Sequence, residues 1–169
     1  MPKDISIPIS SQLNRISLFL PIFLFCLISD QSTKLWAQKV LSGGEIVELF
    51  GGHLRLSYIE NPYGFLGILT HLPAGIREFL LLGGVTLALA LSCWFCFYRR
   101  TIAGKALVFW AMLLAGGFSN LLDRLIQEIG VVDFISFSWG SSHTGQCNLA
   151  DIYILLGGFC LGFLLARKI

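Results

Sequence analysis

Charge is what this sequence is short of. Its 169 residues include only 12 Lys and Arg and 10 Asp and Glu, 13% in all, against 55% hydrophobic residues. Soluble domains carry about 25% charged residues, and a mean hydropathy of +0.75 lies well outside their range. A soluble globular domain is thereby excluded. Usable cysteine is scarce too: Cys26, Cys93, Cys96 and Cys160 fall inside apolar runs, which leaves Cys147 alone in a polar segment and rules out an extracytoplasmic disulfide framework. His53, His71 and His143 are scattered without metal-ligand spacing, so neither a metal nor another cofactor is expected. There is no internal repeat and no low-complexity tract. The chain reads as an integral membrane protein.

What is present in quantity is apolar sequence of spanning length. Crossing a hydrocarbon layer of about 30 Å takes about 20 apolar residues in a helix. Such runs occur at about 16–36, 76–98, 106–122 and 149–166. Residues 1–15 read as a polar, irregular tail. The first run is not a cleaved signal peptide, because no small-x-small site follows and the segment continues through Asp30-Gln31-Ser32-Thr33-Lys34 to Trp36, an interfacial residue type. Nor does Cys26 mark a lipoprotein precursor, since Phe23-Leu24-Phe25 precede it. Between about 37 and 73, Gly and Pro punctuate short segments. Arg55 to Glu60 alternates polar with apolar as a strand does, and Phe65 to Leu72 suggests a short interfacial helix. The expected fold class is all-α transmembrane: a four-helix membrane bundle with a small β lobe, one domain over 1–169.

Basic residues set the expected orientation. With both termini and the Arg99–Lys105 loop on one side, that side holds Lys3, Arg15, Arg99, Arg100, Lys105, Arg167 and Lys168, 7 of the 12 basic residues. Asp4 is its one acid. The balance is 7 − 1 = +6 there and 5 − 9 = −4 on the other face, which places both termini in the cytoplasm. Asp30, Asn120, Asp123, Arg124, Asp133, Asn148 and Asp151 then converge on the outer membrane boundary.

Carboxylates near hydrocarbon are expensive, so Asp133 and Asp151 are the first candidates for chemistry. Two acids sharing a site retain one proton between them, and such a pair supplies a base for water and an acid for a carbonyl oxygen. Asn148 to Asp151 also has the spacing of a helix N-cap with an acid three residues on, and spacing alone leaves both readings open. Asn120, Asp123 and Arg124 share one helix face. They could present an amide and a guanidinium to a substrate, or Asp123 could be the local partner of Arg124. Asp30 and Lys34 read as an i, i+4 salt bridge, with Asp30 in need of a structural partner because an acid at a helix C-terminus opposes the dipole. Asn61-Pro62 reads as a turn, and Cys93 and Cys96 as packing residues rather than a redox pair.

Taken in order, these segments resemble the signature of bacterial lipoprotein signal peptidase, or signal peptidase II. Asp30-Gln-Ser-Thr-Lys34 resembles D-Q-x-[ST]-K, Gly116 to Arg124 resembles G-G-x-x-N-x-x-D-R, Val131-Val-Asp133-Phe134 matches V-V-D-F, and Asn148-Leu-Ala-Asp151 matches N-x-A-D. The resemblance implies that Asp133 and Asp151 are catalytic. Asn120, Arg124, Asn148 and Asp30 would be supporting or substrate-binding residues, joined by Asp123 and Lys34 of the same motifs and by Asn61 in a periplasmic lobe. It further implies an aspartic endopeptidase of the bacterial inner membrane that cuts diacylglyceryl-modified prolipoproteins before the lipidated cysteine. Its partners would be those precursors and membrane lipids, with no nucleic acid, and the protein would be a monomer. Tyr63 and Phe65 stand where glycine and alanine are usual, Ser119 replaces a common glycine, and Cys147 replaces the phenylalanine before Asn148. A lipopeptide-binding relative without activity, a proton-coupled transporter and a thiol oxidoreductase are the rival readings.

Overall fold

A computed structural model describes residues 9–64, 67–98, 104–127, 130–140 and 142–167. The expected tail up to Pro8, Phe65 and most of the Arg99–Lys105 loop lie outside them. The described chain holds four long helices and four strands, with a 3-10 turn at Phe50–Gly52 between the first two strands: α1 (Ile9–Leu41), β1 (Ile46–Leu49), β2 (Leu54–Asn61), α2 (Ala74–Tyr98), α3 (Lys105–Ile126), β3 (Val131–Trp139), β4 (Ser142–His143) and α4 (Leu149–Ala166). Three helices are long and apolar enough to cross a membrane: α1 from Gln12, α2 and α3. In α4 the stretch Leu149–Leu164 is a shorter apolar helix.

Several expected boundaries need correction. The region read as an irregular tail is helical from Ile9, and the first helix runs five residues beyond Trp36. Polar residues such as Gln38 and Lys39 do not stop a helix. The stop comes at Gly43-Gly44, where the Gly44 N–H donates back to the Leu41 carbonyl at 3.2 Å. At 33 residues α1 is about 50 Å long, well over one hydrocarbon thickness. Likewise α3 continues to Ile126, past the expected end of the span at about 122, and so carries Asn120, Asp123 and Arg124 on one helix as their spacing suggested. Helix α2 begins at Ala74, close to expectation, and widens into a π-helical turn over Phe79–Gly84. Over Gly67–Leu72 the backbone makes successive i to i+3 turn bonds where an interfacial helix was expected.

The stretch between α3 and α4, read as a Ser- and Gly-rich connection, contributes the central strand of the lobe. The four strands form one antiparallel series in the order β1-β2-β3-β4. Register pairs Ile59 with Asp133 and Asn61 with Val131, after a bulge between Leu56 and Ile59. Gln146 takes up the carbonyl and hydroxyl of Ser57 in that bulge, at 3.2 and 2.6 Å. Residues Val131 to Ile135 of β3 are buried one after another, because the strand lies between β2 on one edge and the Cys147 backbone on the other. A side chain at Gly130 would meet the Asn61 carbonyl at 2.6 Å, so the entry to β3 passes against the end of β2.

Burial separates into two apolar clusters. Phe19 of α1 meets Cys96 of α2 and Leu107, Ala111 and Leu114 of α3. Ala37 and Leu41, farther along α1, meet Val132, Phe134 and Ile135 of β3. Between them, α1 carries Asp30 and Lys34, and α3 carries Ser119, Asn120 and Asp123, all buried. A polar layer is thus enclosed by apolar packing on either side. Helix α4 is held against α3 at the same level through Gly116, where any Cβ would collide with the Ala150 carbonyl.

Gly116→Val is expected to force α3 and α4 apart. Overpacking of a close contact costs about 1–3 kcal/mol, so thermal unfolding of the purified protein in detergent should start at a clearly lower temperature than for the wild type.

Candidate active site

Asn148 joins the two aspartates. Its side-chain amide donates to Asp133 Oδ1 at 2.7 Å, and its backbone N–H reaches Asp151 Oδ2 at 3.3 Å. The Asp151 N–H in turn donates to Asn148 Oδ1 at 2.9 Å. That exchange is a reciprocal capping box at the start of α4. Capping and pairing of the acids therefore coexist, because Asn148 caps the helix with its Oδ1 and backbone N–H and contacts Asp133 with its side-chain NH2.

Every oxygen of the pair receives an N–H. Asp133 Oδ2 takes the Asn61 amide at 2.8 Å, and Asp151 Oδ1 takes the Asn120 amide at 2.8 Å. Strand register places Asn61 two residues beyond Ile59, which pairs with Asp133, so the two side chains lie diagonally on one face. Asn61 is also a turn residue: its oxygen accepts the Tyr63 N–H at 2.9 Å and its amide donates to the Gly64 carbonyl at 2.8 Å. Asp133 is only 2% exposed. Burial pushes its carboxyl up to about 7, aided by the neighbouring Asp151 charge and opposed by the hydrogen bonds from Asn61 and Asn148 and by the Lys34 charge. Burial, with the two nearby acids, also pushes the Cys147 thiol up to about 11.

Behind the pair sits Lys34. Its ammonium contacts Asp30 Oδ2 at 2.7 Å, Asp123 Oδ2 at 2.8 Å and Asn120 Oδ1 at 2.8 Å. The ion pair to Lys34 is the contact of that Asp123 oxygen, while Asp123 Oδ1 accepts from Gln31 at 2.8 Å. Asp123 therefore pairs across to α1 and not with its neighbour Arg124. Asp30 needed a partner, but not for the expected reason: α1 continues eleven residues past it, so no helix end is involved. Asp30 Oδ1 instead accepts the Ala150 N–H at 2.7 Å, satisfying a free donor in the first turn of α4, and its other oxygen also accepts from Ser119 Oγ at 2.7 Å.

Two hollows open beside these groups. One, of about 300 Å³, is lined mainly by Leu81, Val85, Gly117, Ile154 and Leu155, with Asn120, Arg124 and Asp151 at its polar end. The other, of about 240 Å³, is lined by Pro62, Arg77, Glu78, Leu81, Leu82, Arg124, Gln127 and Gly130. Arg124 stands where they meet. It donates to the Asn120 carbonyl at 3.1 Å, while its buried Nε has no hydrogen-bond partner among the described residues.

The family profile described as signal peptidase (SPase) II matches residues 22–167. The chain belongs to the signal peptidase II family. A lipoprotein signal peptidase of Bifidobacterium adolescentis is 32% identical over 157 residues, covering 90% of this chain and 78% of its own. Another, of Clostridium tetani, is 30% identical over 141 residues, covering 83% and 86%. Two solved structures of a bacterial membrane enzyme, obtained in meso at 2.3 and 1.9 Å resolution, superpose with TM-scores of 0.76 and 0.77. Each is 22% identical to this chain; they cover 90% and 91% of it and 90% and 96% of their own chains. That likeness concerns the fold alone.

Of the nine site residues that the family motifs single out, Asp30, Lys34, Asn61, Asn120, Asp123, Asp133, Asn148 and Asp151 are all buried in one connected network, and Arg124 borders it. Gln31 and Ser119 were not singled out, yet they bond to each other at 2.9 Å and to Asp123 and Asp30 respectively. Their place beside Asp30 and Asn120 in the motifs was the available signal. Cys96 packs in the apolar cluster and Cys93 is exposed, both as free thiols.

A carboxyl raised from its ordinary value of 3.8 to about 7 in the folded state binds a proton there that the unfolded chain has lost. Stability should therefore fall as pH rises from about 4 to about 7. In Asp133→Asn this fall is expected to flatten, as measured by melting temperature against pH for both proteins.

Proposed function

We propose that the protein is a membrane-embedded aspartic endopeptidase that removes the signal peptide from diacylglyceryl-modified prolipoproteins, with Asp133 and Asp151 as its catalytic pair. Family membership supports the reaction class. The observation that carries the residue assignment is Asn148, one side chain and one backbone N–H of which tie both carboxylates into a single site.

The chemistry follows from the pair. One carboxylate takes a proton from water as the water oxygen attacks the scissile carbonyl carbon; the protonated partner donates to the carbonyl oxygen. Collapse of the tetrahedral intermediate breaks the C–N bond, and a proton passes to the departing amine of the lipidated cysteine. N–H groups on all four carboxylate oxygens leave lone pairs free for water and substrate, since an ionised carboxyl offers about four acceptor sites. The Asn120 amide and the Arg124 guanidinium are placed to steady the peptide backbone on either side. The apolar hollow under Asp151 suits the aliphatic part of the substrate, and the polar one beyond Arg124 suits the chain leaving the membrane.

In this reading α4 is the fourth span of a four-helix bundle in the bacterial inner membrane. Both termini face the cytoplasm, in keeping with 7 of the 12 basic residues on that side. The sheet lies on the outer, periplasmic side, and the aspartates sit at that boundary, where water can reach them. Membrane lipids surround a monomer and the substrate enters laterally.

Asp133→Asn and Asp151→Asn should each abolish cleavage of a diacylglyceryl precursor peptide by purified protein while leaving insertion unchanged. Wild-type cleavage by either variant would disprove the assignment, and a wild-type protein that binds the precursor without cutting it would favour the lipopeptide-binding alternative.

A further inference from the structure

Asn120 is symmetrical in shape at its carboxamide, and something has to decide which end faces Asp151. Its oxygen accepts from Lys34 Nζ at 2.8 Å and from Asn148 Nδ2 at 3.2 Å, which occupies both lone pairs. Its NH2 is thereby turned to Asp151 Oδ1 at 2.8 Å. The reversed amide would set its NH2 against an ammonium and a second amide donor, and its oxygen against a carboxylate, three repulsions replacing three bonds. Lys34 has no freedom to relax that choice. Its three protons are all committed, the other two to Asp30 and Asp123, and its side chain is 3% exposed.

We propose that Lys34 is a positioning residue for the catalytic pair: from α1 it locks the Asn120 carboxamide, and so sets how the aspartates hold their shared proton. This rests on the reading of Asp133 and Asp151 as catalytic. The charged and titratable groups facing the pair are Asp30 and Lys34 from α1, Asp123 and Arg124 from α3, and the Cys147 thiol. Lys34 is the one among them that touches an amide bonded directly to the pair and also neutralises the acids behind it. Asp30, held at the same time by Ser119 and by the Ala150 N–H, ties the ammonium to the first turn of α4, which also carries Asp151.

The test is the pH profile of cleavage of a diacylglyceryl precursor peptide by the full-length protein. Lys34→Met leaves two buried acids unpaired and could fail to fold, so the charge-compensated Lys34→Met/Asp123→Asn protein is measured beside it. A pair deprived of an oriented donor holds its proton more tightly. The acidic limb of kcat/KM should therefore move up by about one pH unit, about a tenfold loss below it, with KM unchanged. In an Asn120→Ala background the charge-compensated Lys34→Met/Asp123→Asn pair should add nothing to the shift caused by Asn120→Ala alone. A uniform loss of rate without movement of the limb overturns the proposal, as does an equal shift in the Asn120→Ala background or failure of the compensated protein to insert. Asp133→Asn serves as the control. If it still cleaves, the catalytic assignment falls and this proposal with it; if it is inactive while the Lys34 variants keep the wild-type limb, only the role of Lys34 is lost.

Discussion

Four carboxylates are buried at one level of this bundle, and in a medium of low dielectric each has to be met by donors. One ammonium cannot satisfy them all. Lys34 serves Asp30 and Asp123, and Asp133 and Asp151 are met by N–H groups alone, from Asn61, Asn120 and Asn148. The division has a chemical consequence. Asp30 and Asp123 are taken up in ion pairs that tie α1 to α3, whereas among the described residues no cationic side chain contacts Asp133 or Asp151 directly, an arrangement that suits the shared proton of the proposed mechanism. The raised carboxyl of Asp133 is the outcome of that balance, burial outweighing the two amides that oppose it.

The fold exists around this layer. Apolar clusters lie on both sides of it along α1, and the approach of α3 to α4 through Gly116 brings Asn120 within reach of Asp151. Strand β3 then carries Asp133 back over the ends of the helices, where the end of β2 delivers Asn61. No single element contains the site. Five segments far apart in sequence meet there, each fixed by at least one hydrogen bond to another.

Much of this was legible before any coordinates. Hydrocarbon thickness dictates the length of apolar runs, so the four runs fell close to the observed helices, although their ends were missed where polar residues continue a helix, as Gln38, Asp123 and Arg124 do. The i, i+4 pair of Asp30 and Lys34 was plain from spacing. The dipole argument about Asp30 failed because it assumed a helix end that lies at Leu41. Strand β3 was not legible: continuous burial gives no clear alternation to read, and its partner β2 is remote in the chain, Asn61 lying 72 residues before Asp133. Nor could spacing choose between cap and catalyst at Asn148 and Asp151, since the geometry makes Asn148 both a cap and a bridge.

The most direct measurement is the number of protons held by the aspartate pair, read from the carboxylic acid C=O stretch in infrared difference spectra of the wild type against each single aspartate-to-asparagine variant across the neutral range. The account predicts one protonated carboxyl shared by Asp133 and Asp151 in the wild-type protein near neutral pH, with its band altered by substitution of either residue. A band absent throughout that range, or one unaffected when Asp133 is replaced, would contradict it.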